Sequence, residues 1–302
     1  MQPLFDAIFS GLSSGSVDSR RLFHGRGHCH EGLDFINVDL FPPGVFITLY
    51  RETDPQLLST VVEFVSRQPV VEGVIVQHRY QKGSPSELVY GKVPETLDIV
   101  ESGLIYQIQP GMRQNTGFFL DMSEGRQWIK FNCRGKTVLN LFAYTCAFSV
   151  AAMAGGATQV VNLDMSRGAL ERGRINHRLN SHDISKVRFL PYELFRSWGR
   201  VRRWGPYQRI IIDPPSFQKG SFVAGKDYQR VLRRLPELLA DKAKIMVCLN
   251  DPNIGPQFLV DLMEEHCPRA VFVQRLPNPE SFPEQDPDKS LKVLLFEYQQ
   301  AD

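Results

Sequence analysis

Leu141-Phe142-Ala143-Tyr144-Thr145-Cys146-Ala147-Phe148-Ser149 decides the reading of this chain, because it joins an apolar strand, 137–142, to a helix without a single glycine. A nicotinamide dinucleotide needs glycines at such a turn so that the backbone can approach a pyrophosphate, and Gly-x-Gly-x-x-Gly is absent there. A turn of small and aromatic residues instead suits a nucleoside that carries no phosphate.

Outward from that turn, segments with strand and helix patterning alternate. Strands are expected at 104–109, 137–142, 159–164, 186–190, 209–213, 243–249, 270–275 and 292–298, with helices starting near Ser149, Ser166, Leu194, Lys226 and Gln257. This order predicts the α/β class: a mainly parallel, Rossmann-like sheet covered by helices on both faces. The last two strands follow each other without a clear helix, which predicts an antiparallel hairpin at the sheet edge. Upstream, 35–40 and 45–50 flank the turn Pro42-Pro43-Gly44 and predict a hairpin. Residues 57–66 have helical spacing, 70–77 and 87–91 return to strand character, and the first 32 residues read as a helix followed by a loop. The expected organisation is a small α+β domain at 1–95 and a larger α/β domain at 96–302.

A chain of 302 residues is long enough for two such cores, and 42% hydrophobic with 23% charged residues excludes a largely disordered or fibrous chain. The net charge of +2 excludes a polycation, so any nucleic-acid surface must come from local clusters. No apolar run approaches the roughly 20 residues of a membrane span, and 1–10 lacks the layout of a secretion signal. A cytoplasmic location with no membrane partner is expected. The five cysteines are odd in number, scattered and free of Cys-x-x-Cys, which argues for reduced thiols. His24, His28, Cys29 and His30 match no common zinc spacing, so no metal is expected.

In open α/β sheets ligands bind beyond the carboxyl ends of the strands. The strand at 159–164 leads into Asn162-Leu163-Asp164-Met165-Ser166, which offers a carboxylate for both ribose hydroxyls and an apolar flank for adenine. The next leads into Leu190-Pro191-Tyr192-Glu193-Leu194-Phe195, where Glu193 can reach the adenine amine, with Leu194 beside it. The fourth ends at Asp213-Pro214-Pro215-Ser216-Phe217, an acid before a rigid Pro-Pro, suited to fixing a methyl acceptor. S-adenosylmethionine is the phosphate-free nucleoside that these ends fit. Each signal also has a plainer reading: Asp164 as a helix N-cap, Asp213-Pro214-Pro215 as an ordinary turn, Phe142 and Tyr144 as core aromatics.

Tyr106-Gln107-Ile108-Gln109, Asn115-Thr116-Gly117-Phe118-Phe119-Leu120-Asp121, Asn140 to Thr145, Asp164-Met165-Ser166 and Asp213 to Phe217 together resemble the bacterial 23S ribosomal RNA large subunit methyltransferase I and K/L group, which has the class I S-adenosylmethionine-dependent fold. The resemblance spans about 107–249. Upstream, Arg21 to Gly27 and Ile36 to Asp39 resemble the small substrate domain of the K/L branch, and a PUA-type module as in the I branch is not expected before them. The resemblance implies a cofactor cavity formed by Asn115, Thr116, Gly117, Phe119 and Asp121, by Phe142, Ala143, Tyr144 and Thr145, by Asp164, Met165 and Ser166, and by Glu193 and Leu194. It implies catalysis at Asp213, Pro214 and Pro215. Cys146 stands where the family usually has glycine, and Glu193 where it usually has aspartate.

Methylation of cytosine C5 requires a thiolate that adds to the base. In the cytosine-modifying relatives that cysteine ends the strand after Asp-Pro-Pro, whereas here Leu249 is aligned with it and Cys248 lies one residue earlier. Methylation of a base nitrogen in RNA, 23S ribosomal RNA by resemblance, is therefore expected, with C5 chemistry at Cys248 the alternative. A catalytically idle RNA-binding module and a small-molecule or protein methyltransferase remain further alternatives. Arg20, Arg21, Arg26 and Lys219 are the expected RNA contacts, the basic groups around 196–209 and 226–234 could extend them, and 219–221 could form a lid. Monomer and homodimer stay open.

Overall fold

The structure, a computed structural model, describes residues 1–112, 114–215, 217–218 and 222–299, with backbone alone at 217 and 218. The chain divides into two compact units, Met1–Asp121 with Pro279–Asp286, and Met122–Asn278 with Pro287–Asp302.

In the first unit α1 (Gln2–Ser13) buries Leu4, Ile8 and Leu12 along one stripe. α2 (Pro55–Ser66) starts at Asp54, whose side chain accepts the Gln56 N–H, with Pro55 in the first turn. A five-stranded sheet runs β1 (Arg20–His24), β2 (Ile36–Phe41), β3 (Gly44–Leu49), β4 (Gly73–His78), β5 (Ser86–Gly91). β2 and β3 form the expected antiparallel hairpin, in register Ile36 with Leu49. β3 and β4 are parallel, and Val45, Ile47, Val74 and Val76 are wholly buried between their neighbours. A separate antiparallel pair joins β6 (Leu97–Glu101) and β7 (Leu104–Ile108). The expected loop before Gly32 is corrected by β1, a strand built from Arg-Arg-Leu-Phe-His in which only Leu22 and Phe23 are buried.

The second unit contains α3 (Ser123–Asn132), β8 (Thr137–Leu141), α4 (Ala147–Ala154), β9 (Gln159–Leu163), α5 (Arg167–Leu179), β10 (Val187–Leu190), α6 (Trp198–Arg202) and β11 (Tyr207–Ile212). There follow the short pair β12 (Phe217–Gln218) and β13 (Phe222–Val223), then α7 (Ala224–Leu232), β14 (Leu239–Leu249), α8 (Gln257–His266), β15 (Ala270–Leu276) and β16 (Lys292–Tyr298). The seven-stranded sheet has the order β10-β9-β8-β11-β14-β16-β15. Its first five strands are parallel, and β16 runs antiparallel to both β14 and β15. This is the Rossmann-like sheet of class I methyltransferases, with the expected antiparallel strands at one edge. The order reverses between β8 and β11, which places the loops after β8, β9 and β11 around the switch point where ligands enter such sheets. The helix expected near Leu194 is instead a 3-10 turn, Leu194–Arg196, followed by the five-residue α6.

Four of the five cysteines, Cys133, Cys146, Cys248 and Cys267, are buried, Cys29 is exposed, and all are free thiols. No helix among the described residues is long and apolar enough to cross a membrane, and none of their His, Cys, Asp and Glu side chains cluster as a metal site would require.

Candidate active site at the carboxyl edge of the sheet

β8 ends at Leu141, and the turn that follows has left-handed backbone at Phe142 (φ 59°), Tyr144 (φ 47°) and Cys146 (φ 63°). Each such residue with a side chain costs roughly 1–2 kcal/mol relative to glycine, so the turn is strained and must be held by its surroundings. Several contacts hold it. The Ala143 N–H donates to the Leu163 carbonyl, and the Cys146 N–H to the Ala143 carbonyl. Tyr144 N–H donates to Asp164 Oδ2 at 2.8 Å, and Asn176 Nδ2 donates to the Thr145 carbonyl at 3.0 Å. The plain-core reading of the two aromatics is half right, since Phe142 packs edge-on against Phe222 at 5.1 Å.

Asp164 follows β9 and links two loops. Oδ2 takes the Tyr144 amide, and Oδ1 takes the Ser166 amide at 2.7 Å. A carboxylate has about four acceptor sites, so both oxygens keep capacity for a ribose diol. Burial raises its carboxyl above the ordinary aspartate value, and the Ser166 and Tyr144 amides oppose that rise. The helix-capping alternative falls to Ser166, whose Oγ accepts the Ala169 N–H at the start of α5. Met165 is 47% exposed beside it, placed as an apolar flank would be. This edge fits a nucleoside with a free diol, and its backbone offers no glycine cradle for phosphate.

Glu193 is differently engaged. Its two carboxylate oxygens accept the Phe195 and Arg196 amides, both at 3.0 Å, and so cap the 3-10 turn. Leu194 is buried in the core between the sheet and α6–α8. Asp213, half-buried, and Pro214, buried, follow β11, while Pro215 is exposed. The parallel register pairs Ile212 with Val247, which puts Asp213 next to Cys248 across the ladder. Leu249 joins the core that faces α7 and α8, and Cys248 projects to the opposite face by strand alternation. Tyr228 of α7 donates its hydroxyl to the Cys248 carbonyl. Burial raises the Tyr228 phenol well above its ordinary value, and the neighbouring Cys248 and Asp213 add to the rise.

A buried polar chain beneath β8 and β9 was not anticipated. Asn140 donates to Asn162 Oδ1 at 3.0 Å, Asn162 donates to Ser149 Oγ at 2.9 Å, and Ser149 Oγ meets His177 Nε2 at 2.8 Å. His177 Nδ1 lies 3.1 Å from His182 Nδ1. Burial, then His182 and Arg174, push the His177 imidazole down to about 3. The sequence does hold a signal for it: Asn occupies the penultimate position of both β8 and β9, inside otherwise apolar runs buried on both faces.

The first unit holds the other candidates. The Thr116 carbonyl accepts the Gln109 N–H, Asn115 Oδ1 accepts from Arg79 at 2.7 Å, Gly117 has φ 110°, and Phe119 is 43% exposed. Asp121 lies in the 3-10 turn Leu120–Met122. Arg20 and Arg21 do not offer open phosphate sites. Arg20 spends its guanidinium on the carbonyls of Gly11, Ser16 and Asp18, next to the end of α1. Arg21 forms a two-pronged pair with Asp39 at 2.6 and 3.0 Å, contacts His24 and lies 4.4 Å over the Phe282 ring. Arg26 is exposed and stacks over Tyr50 at 4.9 Å. Lys219, Ser216 and the expected lid at 219–221 lie outside the described residues. Within the basic group around 196–209, Arg209 turns inward to the carbonyls of Asn132 and Gln208.

Comparison with known proteins adds the chemistry. A family model for S-adenosylmethionine-dependent methyltransferases matches residues 20–297. A solved candidate methyltransferase in complex with SAH superposes with a TM-score of 0.87 at 27% identity, covering 98% of this chain and 79% of that one. A candidate ribosomal RNA large subunit methyltransferase of Bacillus subtilis is 28% identical over 87% of this chain and 69% of its own length. Ribosomal RNA large subunit methyltransferase I of Serratia proteamaculans is 39% identical over 67% of this chain and 52% of its own. The chain thus spans about half the length of that relative. These matches carry the I designation where a branch is given, which removes the K/L footing of the expected base-nitrogen methylation. That expectation is corrected.

Proposed function

As a member of the S-adenosylmethionine-dependent methyltransferase family, with that nucleoside as its cofactor, the chain is an enzyme, and we propose that it methylates C5 of a cytosine in ribosomal RNA with Cys248 as nucleophile. The observation that supports the reading is the register of β11 with β14, whose pair Ile212–Val247 makes Asp213 and Cys248 neighbouring positions at the carboxyl ends of the two strands. Bound S-adenosylmethionine supplies an electrophilic methyl group. Asp164 would hold the ribose, and Met165 would flank the adenine. The Cys248 thiolate adds to C6 of the base, which makes C5 nucleophilic; after methylation a base removes the C5 proton, and the thiolate leaves. Asp213 would take that proton. Cys248 is 1% exposed, so the entering base must displace what covers the strand end. Arg26 of the small domain, and separately Lys219 of the larger one, are the proposed contacts to the RNA backbone.

The test uses ribosomal RNA from a strain lacking the protein. The intact chain should yield 5-methylcytidine by nucleoside mass spectrometry, and RNA carrying 5-fluorocytidine should trap a covalent adduct on a denaturing gel. Cys248→Ala should lose both. Product and adduct that persist in Cys248→Ala remove Cys248 from the mechanism. A methylated product other than 5-methylcytidine overturns the C5 assignment, and cofactor uptake with no RNA methylation points to the idle module.

A further inference from the structure

α5 packs against the strained turn 142–146 through Asn176 and Gly173. Asn176, 1% exposed, sends its Nδ2 to the Thr145 carbonyl at 3.0 Å. One helical turn earlier, Gly173 leaves the space that Cys146 fills: a Cβ there would lie 2.4 Å from Cys146 Sγ, 2.8 Å from its Cβ and 3.3 Å from the Thr145 carbonyl oxygen. Residues three apart share a helix face, so both features bear on the same two loop residues. Glycine inside a helix is otherwise unfavourable, and here it coincides with the closest approach of helix and loop.

We propose that Gly173 and Asn176 are positioning residues for the cofactor, substituting from α5 for the glycines that the turn lacks. Cys146 and Gly173 interlock as filled and vacated volume, and the Asn176 amide fixes the carbonyl between two left-handed residues. Together they hold Phe142, Tyr144 and Cys146 in one conformation before the nucleoside arrives. Affinity then depends on the fraction of chains with the turn already in place. This inference rests on the reading that the turn lines the cofactor cavity.

The experiment measures S-adenosylmethionine binding to the full chain by calorimetry, alongside urea stability and steady-state kinetics on ribosomal RNA. If the turn falls to about a tenth of its competent population, Gly173→Ala should weaken binding about tenfold. Adding Cys146→Gly, which vacates the contested space, should recover most of that affinity. Asn176→Ala should raise KM for the cofactor while kcat at saturation stays within about twofold, a split that general destabilisation does not produce. Unchanged affinity in Asn176→Ala and Gly173→Ala overturns the inference and leaves the cofactor assignment intact. An intact chain that takes up no S-adenosylmethionine overturns both. Should Gly173→Ala not fold, Asn176→Ala decides the matter alone.

Discussion

The ends of β9 and β10 carry one acid each, and each acid accepts two backbone amides, yet the two do different work. Asp164 takes one amide from its own loop and one from the loop after β8, so it ties the two neighbouring loops on one side of the switch point. Glu193 takes both amides from the turn that follows it and ties nothing else among the described contacts. A strand-end carboxylate is therefore not a ligand site by position alone. What distinguishes the two is whether the acid bridges separate loops.

The largest effect should come from Asp164→Ala, which removes the proposed ribose acceptor and the bridge together. Cofactor affinity should fall roughly a hundredfold, near the loss of one or two charge-assisted hydrogen bonds, as calorimetry can show. An affinity within threefold of the parent would erase the contrast with Glu193. Next in size is the acid response of the buried chain beneath β9. His177 is held at about 3 against an ordinary 6.5, so the unfolded chain binds the extra proton in that window. Stability contributed by the neutral ring is complete above about 6.5 and is lost as pH falls toward 3, by at most about 1.4 kcal/mol per pH unit. Urea titrations at several pH values should show a flatter acid slope in His177→Gln, and a slope equal to the parent's would exclude the ring as its source. The smallest change belongs to Glu193→Ala, with stability reduced by about 1 kcal/mol as for other lost helix caps. Cofactor affinity should move less than about threefold, and a loss comparable to that of Asp164→Ala would make the two strand ends equivalent.

The alternating sheet was legible because its strands are β-branched or aliphatic runs bounded by turn formers, as in 209–213 and 292–298. β1 escaped because Arg20, Arg21 and His24 disguise it, and Arg21 and His24 find their acidic partners far along the sequence, at Asp39 and Glu284. The return of Pro279–Asp286 to the first unit was equally hidden, since it depends on Gly27 accepting the close approach of the Pro283 carbonyl. At the site, the identity of the acids could be read but not what they bond to. The turn after β8 announced the absence of glycine, while its left-handed backbone appears only when α5 and Asp164 are seen to hold it.

The distribution of sulfur has a practical side. With four thiols enclosed and Cys29 alone at the surface, a maleimide dye applied to the folded chain should modify a single known position in the first unit. That gives a spectroscopic reporter, and a Cys29→Ser background in which any RNA adduct must form on one of the enclosed sulfurs.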